Sequence, residues 1–141
     1  MKKVLSFIIC LFAVSSLAQS VPGKGDYISI QTAGFPAPVH YIFKNKWVYF
    51  GYDPATQKSE NAYEQNADMI KELFDMADKA GMDAIWILDE TKLQLGPDVY
   101  NYRILEYRKG DKVYRICWDN TKEDDNSKKM SELDAKMGSF W

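Results

Sequence analysis

VHYIFKNKWVYFGY, Val39 to Tyr52, decides how this chain is read. Aromatic and β-branched residues crowd both sides of the polar triplet Lys44-Asn45-Lys46, which predicts two strands joined by a short hairpin turn. Asp53-Pro54 closes the second of them, because proline cannot donate to a strand ladder. Upstream, DYISIQT (Asp26 to Thr32) sets Ile28 and Ile30 against Tyr27, Ser29 and Gln31. That alternation predicts a strand with one face available for burial. Between the two segments, AGFPAP (Ala33 to Pro38) interrupts extended pairing through Gly34, Pro36 and Pro38. Residues 55 to 66 are polar and read as a loop or a frayed strand.

A helix follows. Asn66 is placed to cap it and Asp68 to sit in its first turn. Ile70, Leu73, Phe74 and Ala77 mark one face at helical spacing, and Gly81 is placed to end it. Ala84 to Leu88 (AIWIL) is short and apolar, suiting a segment that covers the core. Tyr100 to Tyr107 and Val113 to Trp118 flank RKGDK, a second hairpin turn. After the charged stretch Asp119 to Ser127, Met130, Leu133 and Met137 predict a short closing helix. The expected fold is α+β. It is an antiparallel sheet of about four or five strands with one main helix packed on it and a short C-terminal helix.

The first eighteen residues, MKKVLSFIICLFAVSSLA, have the form of a secretory signal peptide. Lys2 and Lys3 form its positive start, Val4 to Leu17 its apolar region, and Ser16 and Ala18 the small residues before the cleavage point. The expected organisation is therefore a signal peptide at 1–18, a flexible leader at 19–25 and a single domain at 26–141. The mature chain is expected to be exported to the periplasm or the medium, with no membrane span. Cys10 leaves with the signal, so Cys117 is the one remaining thiol and an internal disulfide is excluded. About 120 residues then have to fold on an apolar core, which is near the commonest domain size. Removing Lys2 and Lys3 from 18 basic residues leaves 16 against 20 acidic ones. That mild acidity argues against nucleic acid or anionic lipid as a target.

The chain offers little catalytic chemistry. His40 is the only histidine, so a Cys117–His40 dyad is the one nucleophile–base pair of that kind available. It competes with a plainer reading: a buried thiol and a strand histidine facing water. Two such residues fall short of a four-ligand zinc site. The acidic run Asp119 to Asp125 carries Asp124 where a calcium loop needs glycine and Met130 where it needs glutamate, so it reads as a solvated turn. There is no glycine-rich phosphate loop and no nucleophile elbow, and no cofactor is implied. The aromatic content stands out instead: 18 of the 20 aromatic residues lie beyond the signal segment. They serve either as core and cross-strand pairs or as an exposed platform for a sugar or a surface. In AGFPAP, two prolines restrict the backbone around Phe35, which either anchors a partner or folds back on the core.

The run TAGFPAPVHYIFKNKWVYFGY resembles the opening of a group of small bacterial secreted domains. They place a T-x-x-F turn before a P-V-x-Y strand, followed by a hairpin ending in an aromatic–glycine pair. MIKELFDMADKAGMDAIWIL matches their helix and apolar segment. YNYRILEYRKGDKVYRICWD with its following helix is similar to emfourin-like proteins. The likeness spans roughly residues 27 to 137, and Ala33-Gly34-Phe35 keeps one of the paired glycines common in that family. The resemblance implies inhibition of thermolysin-type metallopeptidases. The expected function is therefore a non-enzymatic binding domain whose partner is a protein such as a secreted peptidase, with Gly34, Phe35 and Pro36 as the binding segment. The alternative is a carbohydrate- or surface-binding module that uses exposed aromatics. No feature of the sequence specifies subunit number.

Overall fold

The computed structural model describes residues 23–33, 38–84 and 97–141. Six strands form one antiparallel sheet: β1 (Tyr27–Thr32), β2 (Val39–Phe43), β3 (Trp47–Tyr52), β4 (Asn61–Glu64), β5 (Tyr102–Lys109) and β6 (Lys112–Asp119). The spatial order is β4-β3-β2-β1-β5-β6. Strand β1 thus bridges a three-strand meander and a hairpin. Among the described residues the sheet is joined by two α-helices, α1 (Ala67–Ala80) and α2 (Asp125–Gly138), and by 3-10 turns at Met82–Ala84 and Pro97–Asn101. The α+β class agrees with the sequence, but the strand count is six rather than four or five. The extra strand is β4, inside the polar stretch after Pro54. It carries no apolar pattern of its own and exists by pairing with β3, from Trp47 opposite Glu64 to Phe50 opposite Asn61.

Turn chemistry sets the hairpin registers. Lys46 takes the left-handed φ of +79° at the end of the Lys44-Asn45-Lys46 turn, and its N–H donates to Phe43 O at 2.9 Å. Gly110 supplies φ of +59° in the two-residue turn between β5 and β6. Helix α1 begins where the Asn66 side chain accepts the Asp68 N–H at 2.7 Å and ends at left-handed Gly81. Helix α2 is capped by Asp124, which accepts from Ser127 N, and at 14 residues it equals α1 in length. The sequence places its start too late, because the charged stretch before Met130 holds the cap and first turn.

Both helices pack on one face of the sheet. Ile28, Ile30, Ile42, Val48, Leu105 and Ile116 meet Ile70, Leu73 and Phe74 of α1 and Met130, Leu133 and Met137 of α2 in one core. Lys136 of α2 bonds Glu72 of α1 at 2.6 Å across the top of that layer. The opposite face is buried as well. Tyr27, Val39, Tyr41, Phe43 and Tyr52 form a second cluster, and Ala33, Val99, Ile104 and Cys117 a third. Gly23 passes so close to the Phe43 ring that a Cβ would lie 3.3 Å from it. Among the described residues no helix is long and apolar enough to cross a membrane.

Candidate functional site

One end of the sheet gathers the features that could meet a partner. Strand β1 leaves it at Thr32 and β2 enters it at Val39, so the connection between two central neighbours emerges there. Its stem is fixed on both sides. The Ala33 N–H donates to Tyr102 O at 3.0 Å, and Val39 pairs with Tyr52. Residues 34–37, and with them Gly34, Phe35 and Pro36, lie outside the described residues. Pro38 is exposed at the start of β2. At the same end stand Tyr100 and Trp141, which are 54% and 42% exposed.

His40 sits beside this stem, on the helix-bearing face. Between Val39 and Tyr41 the register of β2 against β3 shifts by one, so Phe50 and Gly51 together face His40. Gly51 adopts φ of +63°, and its N–H donates to His40 Nδ1 at 2.8 Å. The imidazole stacks on Phe50 with centroids 4.5 Å apart and touches the Trp141 ring at 4.7 Å. Phe50 and Trp141 also meet each other, at 5.5 Å. Burial holds the His40 pKa below the ordinary histidine value, against an opposing pull from the Glu60 carboxylate. The Glu60 side chain lies over Gly51, in the space a Cβ there would need. An open depression of about 560 Å³ adjoins the bulge, with Pro38, Gly51, Asp53, Lys58 and Glu60 among its walls.

A second polar group lies on the face without helices. Tyr27 Oη donates to Glu106 Oε1, and Arg115 Nη1 donates to Glu106 Oε2 at 3.0 Å. The register explains the meeting: Ser29 of β1 lies opposite both Tyr41 and Glu106, and Glu106 lies opposite Arg115. Burial, and next the Glu106 charge, push the Tyr41 hydroxyl up to about 12. Burial and then the bond to Glu106 raise Tyr27 as well. Both tyrosines stay protonated, and Tyr27 acts as a hydrogen-bond donor. At the other end of this face Trp47, 39% exposed, leans on Tyr49 with ring centroids 6.2 Å apart.

The structure separates the residues of the one conceivable dyad. His40 and Cys117 are on opposite faces, and three strand spacings of roughly 4.8 Å each divide β2 from β6. His40 does not face water; it is half-buried among rings. Asp119 and Asp124, read as a solvated turn, receive Thr121 and Ser127. Among the described residues no three His, Cys, Asp or Glu side chains group closely enough to hold a metal ion. The bulge at Gly51 had a signal in the sequence, since a lone glycine within a strand pattern often marks one. The Tyr27–Glu106–Arg115 group had none, because 79 positions separate its tyrosine from its carboxylate. Compared with known proteins, the chain matches no family model, no curated protein and no solved structure.

Proposed function

We propose that this protein is an exported, non-enzymatic binding domain that presents the β1–β2 connection to a protein partner. Inhibition of a thermolysin-type peptidase is its most specific form. The observation that carries the reading is the stem. Two central strands, locked by Ala33 to Tyr102 and Val39 to Tyr52, end on either side of the proposed segment Gly34-Phe35-Pro36, where Tyr100 and Trp141 are also exposed. A stiff support lowers the ordering cost of binding. The signal-like leader supports export, and the emfourin-like order of elements supports the peptidase as partner.

Phe35 would be the anchor. A buried anchor typically carries about 2 kcal/mol or more, which is roughly thirtyfold in affinity. Phe35→Ala is therefore expected to weaken inhibition of a thermolysin-type peptidase by about that factor with the thermal midpoint nearly unchanged. Unfolding would make Phe35 a core residue, and no inhibition by the intact domain would end the inhibitor reading.

The exposed Trp47 beside Tyr49 favours a second reading, a carbohydrate- or surface-binding module at the opposite end. Titration with soluble glycans, followed by tryptophan fluorescence, should then saturate for the intact domain and fail for Trp47→Ala. A flat titration of the intact domain removes this reading.

A further inference from the structure

We propose that His40 is a proton-operated latch at the β2–β3 bulge, closed when its neutral Nδ1 accepts the Gly51 amide and released when that nitrogen is protonated. The bulge places two residues of β3 against one of β2, which takes Gly51 out of the regular ladder. The imidazole supplies the acceptor at 2.8 Å. That bond fixes the tautomer: Nδ1 must be bare and Nε2 must carry the proton. A proton arriving from solvent at Nδ1 turns the acceptor into a donor facing a donor, so the bond has to break.

The groups around the ring set how easily this happens. Phe50 and Gly51 of β3, Ile30 of β1 and the Trp141 ring bring no charged side chain to it. Glu60, from the β3–β4 connection, is the charged group acting on it and favours the proton, while burial disfavours it more strongly. With the folded pKa depressed, the unfolded chain binds the proton more readily. The latch's contribution is thus fully present above the unfolded histidine value of about 6.5 and is lost as pH falls through the lower folded value. The imidazolium can remain against the Phe50 and Trp141 faces through cation–π attraction. Release is therefore a local change at Gly51 rather than expulsion of the ring. Because Val39 and His40 form the far side of the loop stem, release loosens the support of Gly34-Phe35-Pro36. That consequence rests on the proposed reading of the loop, whereas the latch does not.

The test is amide hydrogen exchange and NMR of the intact domain from about pH 8 to pH 5, read at Gly51 and at the His40 ring. Protection of the Gly51 amide should fall roughly tenfold or more, with the same midpoint as the imidazole titration. In His40→Asn, whose Oδ1 can take the place of Nδ1, Gly51 should stay protected throughout. A Gly51 amide unmoved through the His40 midpoint overturns the proposal, as does the same pH dependence in His40→Asn. Should that variant not fold, coincidence of the two midpoints in the unsubstituted domain decides. Inhibition that weakens at low pH in the intact domain but not in His40→Asn supports the coupling to the loop. A domain that inhibits at no pH removes the loop reading and leaves the latch to be judged by the Gly51 amide.

Discussion

Phe74→Ala should cost on the order of 3–5 kcal/mol, read as a shift in the chemical denaturation midpoint at unchanged slope. Phe74 is 3% exposed in the middle of α1, between Ile70 at 2% and the core of the sheet. Its ring meets Tyr107 of β5 edge to face, with centroids 6.0 Å apart, and Lys44 Nζ lies over the Phe74 ring, 6.0 Å from its centroid. Tyr107 is itself pinned, donating to Asp78 of α1 at 2.7 Å, while Lys109 reaches the same oxygen at 2.8 Å. These bonds keep α1 seated above the vacated volume, so the cavity cannot collapse cheaply. A small domain has only about 5–15 kcal/mol in total, so the loss is a large share of it. A cost below about 1 kcal/mol would mean that the α1 face is not seated as described.

Glu106→Ala should destabilise the domain by about 2–3 kcal/mol. The carboxylate serves Tyr27 with one oxygen and Arg115 with the other. Tyr27 is 4% exposed, so its hydroxyl cannot turn to water when the acceptor goes. An unpaired buried donor costs about 1–3 kcal/mol, and bonds to a charged partner lie toward the upper end. Glu106→Gln keeps an acceptor for Tyr27 and should lose less than half as much. Removing both partners, as in Glu106→Ala with Tyr27→Phe, should recover part of the loss, because neither polar group is then stranded. Denaturation of the three variants checks the order. Equal losses in Glu106→Ala and Glu106→Gln would show that the charge matters and the tyrosine does not.

The features legible in the sequence are those written by neighbouring residues. Lys44-Asn45-Lys46 and Gly110-Asp111 announce their turns, and Asn66 and Gly81 bracket α1, because caps and tight turns act over a few positions. What could not be read is decided by distant partners. β4 is held by β3, and the position of β1 at the junction of two hairpins depends on pairings across more than 70 positions. Alternation in Tyr27 to Thr32 predicts one buried face, yet Tyr27 and Ser29 on the other face are 4% and 5% exposed. Tyrosine reads as amphipathic in a strand pattern, and only the arrival of Glu106 satisfies its hydroxyl for burial. At the candidate site the stem of the β1–β2 connection was legible, while the proposed binding segment, residues 34–36, lies outside the described residues. The setting of His40 was hidden because the rings around it come from β3 and from Trp141.

The contact between Gly23 and the Phe43 ring has a practical side. It brings the chain that precedes β1 to the far end of the sheet from the β1–β2 connection. The six residues of β1 hold the two apart by roughly 20 Å at about 3.3 Å per residue. Trp141, by contrast, lies against His40 at the end where that connection emerges. A handle joined ahead of Gly23 would hold the domain on a surface with the end of the sheet at Thr32 and Val39 pointing away from the support. The same handle joined after Trp141 would crowd that end and press on the rings around His40.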